Sequence, residues 1–219
     1  MTGGSAALRI AARLPDTEAE GPYLRYALWL QGCSLACPGC CNPEMLSPHG
    51  GTLVGVEALL REIREAPGIE GVTLLGGEPF EQAGPLALLA GGVRRAGLGV
   101  MAFSGYTLHE LRARPGAAAL LAEVDLLVDG RYRAAERSSR RRFVGSANQR
   151  LHFLTDRYRA LDDGAGGIGA GEGPVEVRIR GGALFVSGAP DAGLLAALRA
   201  GRREPDGDAR GAGPPLTPT

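Results

Sequence analysis

Short apolar runs alternating with helix-spaced segments constrain this chain more than any other feature. Ala6–Leu14 and Leu24–Leu30 read as strands. Val56–Ala66 has helical spacing, with Leu59, Leu60 and Ile63 on one face and Glu62, Arg64 and Glu65 toward water. Gly71–Leu75 is a strand, Phe80–Ala96 a helix burying Leu86–Leu89, and Leu98–Phe103 a strand. Leu108–Arg112 opens a helical stretch through Leu121, and Val124–Val128 is a further strand. Strands that alternate with helices pair in parallel beneath the helices that cover them. The expected fold class is therefore α/β.

At 219 residues with 44% hydrophobic content, the chain suits one domain, or one domain plus an appendage. A chain of this size buries roughly 70% of its unfolded surface, and wholesale disorder is excluded. Its 24 basic residues, all arginine, balance 24 acidic ones, which argues against a general nucleic-acid binder. No run reaches the length of a membrane helix, and Met1–Ser5 lacks the charged-then-apolar pattern of a signal peptide, so a cytoplasmic location is expected. The character changes after about Tyr158. Residues 161–174 are Gly-rich and read as a linker. Val175–Ile179 and Ala183–Val186 flank Arg180-Gly181-Gly182 as a hairpin, Leu194–Arg199 as a short helix, and residues 201–219 as a disordered tail. The main domain would then span residues 1–160 and the hairpin-and-helix extension residues 175–200.

All four cysteines, Cys33, Cys37, Cys40 and Cys41, fall within nine residues. A disulfide framework would spread them, so the cluster reads as metal or redox chemistry in a reducing compartment. Three thiolates spaced x3 and x2 suit three irons of a 4Fe–4S cubane, leaving the fourth iron open. A structural zinc or a plain redox thiol are the alternatives, although zinc usually takes four ligands and no second knuckle is present. Pro38-Gly39 supplies the tight turn, and Cys41 reads as a small buried side chain. The cysteines, Gly76-Gly77-Glu78-Pro79, Ser104-Gly105-Tyr106 and Asp129-Gly130 each follow a strand. In parallel sheets such loops gather at one rim.

This constellation resembles the radical S-adenosylmethionine (SAM) family, whose hallmark is a C-x3-C-x2-C loop after the first barrel strand. Gln31-Gly32-Cys33, Cys37-Pro38-Gly39-Cys40, Asn42-Pro43-Glu44 and Gly76-Gly77-Glu78-Pro79 resemble the activating enzymes of anaerobic ribonucleotide reductases. So do Ser104-Gly105-Tyr106-Thr107-Leu108, Val128-Asp129-Gly130-Arg131-Tyr132 and Gly145-Ser146-Ala147-Asn148-Gln149-Arg150, in order over about residues 20–155. The resemblance implies a partial (β/α) barrel with a small C-terminal hairpin. It implies Cys33, Cys37 and Cys40 as ligands of a 4Fe–4S cluster that reductively cleaves SAM to a 5′-deoxyadenosyl radical. By the same resemblance, Gly76, Gly77 and Glu78 contact the methionyl ammonium, and Ser104 and Tyr106 line the cofactor pocket. Asp129 would hold a cation or polar cofactor group, while Asn148 and Gln149 would contact adenosine or seal the barrel edge. For Gly76-Gly77-Glu78 an ordinary strand-to-helix turn is the competing reading, for Tyr106 a core aromatic, and for Asp129 a solvated loop acid. His49, His109 and His152 receive no role.

The leading expectation is an oxidoreductase that generates a glycyl radical on a partner such as anaerobic ribonucleoside-triphosphate reductase, with flavodoxin or ferredoxin as electron donor. Alternatives are a radical SAM enzyme acting on a small molecule or peptide, its pocket helped by the hairpin, and a non-catalytic iron–sulfur or zinc module. The run Arg137–Arg142 reads as a solvated loop or as a dock for an acidic partner surface.

Overall fold

The computed structural model describes residues 6–138, 140–171, 173–180, 183–190 and 192–200. Seven strands form one sheet in the order β3-β1-β2-β4-β5-β6-β7. These are β1 (Ala7–Thr17), β2 (Arg25–Leu30), β3 (Thr52–Gly55), β4 (Gly71–Gly76), β5 (Gly99–Phe103), β6 (Leu126–Asp129) and β7 (Arg150–Phe153). The central strands β2, β4, β5 and β6 are parallel, as the alternation requires, while β1, β3 and β7 join antiparallel at the flanks.

Strand β2 is buried along its whole length, because both faces of the sheet are covered. Helices α1 (Val56–Glu65), α2 (Ala83–Arg95), α3 (Leu108–Ala113) and α4 (Ala117–Leu121) pack on the face that presents Leu28, Leu30, Val72, Leu74, Val100 and Leu127. The opposite face carries Ala27, Trp29 and Leu75 with Met45, and further along Met101, Leu126 and Val128 with Val144, Tyr158 and Ile168. Among the described residues no helix is long and apolar enough to cross a membrane.

Three of the expected elements take a different form, and β3 and β7 were not expected. The helical stretch expected from Leu108 through Leu121 breaks into α3 and α4, because Arg114, preceding Pro115, is forced extended (φ −78, ψ 126) and Gly116 turns left-handed (φ 81). The helix expected from Phe80 begins with a tighter turn over Pro79–Gln82 before α2. Strand β1 runs on to Thr17 through two register shifts, the second spanning Pro15, which has no amide for the ladder.

Strands β8 (Glu176–Arg180) and β9 (Ala183–Ser187) pair antiparallel as a hairpin, and α5 (Ala192–Ala200) follows. The expected turn glycines Gly181 and Gly182, residues 1–5 and the tail 201–219 lie outside the described residues. Arg178 binds Asp16, the Glu18 amide donates to Glu176, and the Gly188 amide donates to Glu20 at 2.7 Å. These contacts lie where β1 ends and β2 begins, the opposite end of the sheet from the loops that follow the parallel strands. Just beyond the hairpin, Pro190 O accepts from Arg137 in the segment that follows β6. Within residues 161–174, Ile168 is buried and Asp163 accepts from the amides of Ala165, Gly167 and Gly169.

Candidate active site at the carboxyl rim

Parallel pairing brings the ends of β2, β4, β5 and β6 to one rim, and hydrogen bonds tie their loops together. The Gly77 amide donates to Leu30 O at 2.8 Å, and the Glu78 amide to Gly32 O at 2.9 Å, so the Gly-Gly-Glu turn is fastened to the start of the cysteine loop. Gly77 is required by close approach. A Cβ there would overlap the Gly32 carbonyl oxygen and lie 2.9 Å from its carbon.

Glu78 is almost fully buried, and its carboxylate is the knot of the rim. Oε1 accepts from Phe80 N and Ser104 Oγ, both at 3.0 Å, and Oε2 accepts from Gly105 N at 2.8 Å. Burial pushes its pKa up to about 7, against the opposing pull of the Phe80 and Gly105 amides and the Ser104 hydroxyl. Ser104 is buried and spent on this contact, with its own amide bound to Val128 O. Glu78 and Ser104 are thus hydrogen-bonded to each other at the rim, and both side chains are buried. Tyr106 packs against the helix-side core and lies beneath the Arg114 guanidinium, 4.5 Å from its centroid.

The cysteine loop is clipped at its start, where Gly32 N donates to Met45 O and Cys33 N to Leu46 O, and it turns back through Cys40 N to Cys37 O. Leu35 stands over Gly105, and the Ser34 amide and hydroxyl both donate to Glu81 Oε1. Cys33, Cys37 and Cys40 are unpaired, half-buried thiols, and the Asn42 amide lies 3.4 Å from Cys40 Sγ. Burial pushes the Cys33 thiol up, with the Glu78 and Glu81 charges adding to it, and burial does the same at Cys40. Cys41 is exposed rather than buried, correcting the sequence reading; Cys40 turns inward and its neighbour is left facing solvent.

This donor set fits an iron–sulfur cluster. Among the described residues no three His, Cys, Asp or Glu side chains converge tightly enough for one metal ion. A cubane offers a separate iron to each thiolate, and three half-buried thiols on one short loop supply that donor set.

Asp129 ends β6 and is buried, not solvated. It accepts from Leu108 N, and His152 Nε2 lies 3.0 Å from Oδ2, off the line of a good hydrogen bond. Burial works to raise this carboxyl, but His152 and the Leu108 and Arg150 amides outweigh it and hold it below the usual carboxylate range. Asn148 donates to Arg131 O and Gln149 to Gly130 O, closing the edge beside β6.

Sequence reasoning missed Glu81, Gln82 and His152. Gln82 accepts from Arg9 N and donates to Arg9 O and Gln31 O, joining the antiparallel flank to the cysteine loop. Glu81 and Gln82 sit directly after Gly-Gly-Glu-Pro, and their place in the first helical turn after a rim strand was the available signal.

A family model described as a 4Fe-4S single cluster domain matches residues 19–152. The chain is 30% identical over 150 residues to the anaerobic ribonucleoside-triphosphate reductase-activating protein of Pasteurella multocida, covering 64% of this chain and 94% of that one. The protein of the same name from Vibrio cholerae gives 30% over 150 residues, with 64% and 95% covered. Pyruvate formate-lyase 1-activating enzyme of Escherichia coli (strain K12) is 39% identical over 70 residues, 29% of this chain and 28% of that one.

Proposed function

This chain belongs to the 4Fe-4S single cluster domain family and, within it, to the radical SAM activating proteins, and on that premise we propose that it activates a glycyl-radical enzyme. Its cofactors are a 4Fe–4S cluster and SAM. Held by this chain, the two groups would supply reductive cleavage of SAM and, through it, hydrogen-atom abstraction from a glycine of the partner. Anaerobic ribonucleoside-triphosphate reductase is the partner in this reading, because the two relatives named for its activation are matched over nearly their whole length.

Cys33, Cys37 and Cys40 would hold the cluster, on a loop clipped to the rim that leaves these three thiols outside any disulfide. The carbonyls of Gly76 and Gly77 would accept from the methionyl ammonium. Glu78 would place a carboxylate beneath that cation while keeping the β4 and β5 loops in register. Ser104 fixes Glu78, and Asp129 fixes the Leu108 amide and His152, so both would shape the floor of the SAM site. A partial barrel is the finer fold this reading carries, with the parallel strands β2, β4, β5 and β6 as its wall. Flavodoxin or ferredoxin would deliver the electron. A cytoplasmic location agrees with cysteines gathered in one short loop rather than spread as a disulfide framework.

One observation carries the reading: four strand-end loops are hydrogen-bonded into a single rim around three free thiols. The test is anaerobic reconstitution with iron and sulfide, addition of SAM and dithionite, and quantification of 5′-deoxyadenosine against Cys37→Ala. Formation that depends on Cys37 is expected. Zinc retained in place of an iron–sulfur cluster would overturn the reading.

A further inference from the structure

Zero net charge conceals a strong asymmetry. Residues 131–150 hold seven of the 24 arginines and one of the 24 acidic residues, a balance of +6, so the rest of the chain carries −6. Two of these arginines are neutralised, Arg131 by Glu110 and Arg133 by Glu136. Arg137 donates to Pro190 O, and Arg141 to the carbonyls of Ala147 and Gln149, which occupy N–H groups without cancelling charge. Among the described residues, no carboxylate lies within ion-pair range of Arg137, Arg140, Arg141, Arg142 or Arg150. The Arg142 Nε is also buried without a hydrogen-bond partner.

These charges border a recess of about 520 Å³ lined by Ser138, Arg140, Arg141, Asn148, Gln149 and Arg150, with Arg140 and Arg150 exposed at its edge. The recess belongs to the rim. Asn148 and Gln149 hold the Gly130–Arg131 backbone at the end of β6. The same segment abuts the cysteine loop, where a Cβ on Gly39 would lie 2.9 Å from Ala134 Cβ and Tyr132 hydrogen-bonds Cys41.

We propose that this arginine-walled recess docks an acidic segment of the polypeptide substrate, seating it beside the cysteine loop. The proposal rests on the glycyl-radical-activating reading and adds the chemistry by which the partner is held. Unpaired guanidiniums with fixed forks select carboxylates. A short acidic peptide fits the recess, whereas a nucleic acid would run on over a body carrying −6 and be repelled. Stacking faces are also lacking: Arg142 covers the Phe143 ring, 5.1 Å from its centroid, and Tyr132 is engaged by Cys41.

The test uses the reconstituted full chain and a fluorescein-labelled hexaglutamate peptide, with anisotropy read at about 50 mM salt, where exposed charges still feel one another. Arg140→Glu/Arg150→Glu is compared with Arg61→Glu/Arg64→Glu, two exposed arginines on α1 whose reversal changes net charge equally. The groove variant should bind about tenfold more weakly, as for two surface pairs made repulsive, and the control within about threefold of wild type. Iron content and unfolding midpoint show whether each variant folds, and Arg140→Gln/Arg150→Gln replaces the reversal if it does not. Equal weakening in groove and control variants, no wild-type binding, or tighter binding of a single-stranded oligonucleotide of equal charge would each overturn the proposal. Absence of 5′-deoxyadenosine from the wild type would instead sink the activating reading, and the two failures are read in separate assays.

Discussion

Gly77→Ala tests how the rim is spaced. The added Cβ would overlap the Gly32 carbonyl oxygen and stand 3.0 Å from Leu30 O, so it meets backbone on two sides and no flexible side chain can yield. Relief requires the Gln31–Cys33 backbone to move off β4, which breaks or stretches the 2.9 Å bond from Glu78 N to Gly32 O. One hydrogen bond is worth about 1 kcal/mol and overpacking typically costs about 1–3 kcal/mol, giving a loss of about 2–4 kcal/mol. A domain with about 5–15 kcal/mol of stability survives this loss, so the variant should fold while holding its cysteine loop displaced. Gly84→Ala is the matched control, because nothing lies within 4 Å of a Cβ at that exposed second residue of α2. It should gain a few tenths to about 1 kcal/mol through lower unfolded-state entropy. Anaerobic urea unfolding of the apo chain gives the energies, and iron per chain after reconstitution gives the functional consequence. If Gly77→Ala unfolds within about 0.5 kcal/mol of wild type and takes up full iron, close packing is not why glycine stands there.

Three further outcomes are expected. Glu78 has its folded pKa raised by burial from 4.5 to about 7, so its contribution is full below pH 4.5 and is lost as pH rises through 7. The ligand-free chain should lose on the order of 3 kcal/mol between about pH 5 and 8, and Glu78→Gln should flatten that slope in urea titrations; an unchanged slope would assign the effect elsewhere. Cys41→Ser should leave reconstituted iron content unchanged, since Cys41 faces solvent, while Cys37→Ala lowers it; iron lost equally from both would make Cys41 a ligand. Tyr158→Phe removes a hydroxyl that accepts from Arg25 at 2.8 Å and donates to Glu70, and should cost about 1–2 kcal/mol in urea unfolding with iron content intact; a cost below about 0.3 kcal/mol would show the hydroxyl to be dispensable.

What was legible in the sequence follows from how local each signal is. Strands β2, β4 and β5 were readable because a strand covered on both faces needs an uninterrupted apolar run, and α1 because one face alone is buried. Strands β3 and β7 were not, since Thr-Leu-Val-Gly and Arg-Leu-His-Phe are too short and mixed for any period and form only where β1 and β6 offer an edge. The cysteines were legible through spacing within one loop. Gln82 and His152 were not, because their partners Arg9 and Asp129 lie far away in sequence and only the folded sheet brings them together.

The two ends of the parallel strands are built differently, and that difference explains how a rim of free thiols is tolerated. Where β2, β4 and β5 begin, the buried Arg25 guanidinium binds Thr73, Glu70, Tyr158 and the Pro22 and Val72 carbonyls. Gly99 leaves the room for this, since a Cβ there would overlap the Tyr158 hydroxyl. Among the described residues no buried side-chain nitrogen or oxygen of this set lacks a hydrogen-bond partner, and breaking such a buried set costs several kcal/mol because partners are left unpaired. At the other end Glu78 closes the loops upon one another, but Cys33, Cys37 and Cys40 stay outside any disulfide on their loop. Stability concentrated at the strand starts frees the strand ends to hold half-buried, unpaired sulfur. Substitutions around Arg25 should therefore lower stability at constant iron per folded chain, whereas substitutions around Gly77 should change both. An Arg25→Met chain that folds, yet cannot take up iron, would show the two ends to be coupled.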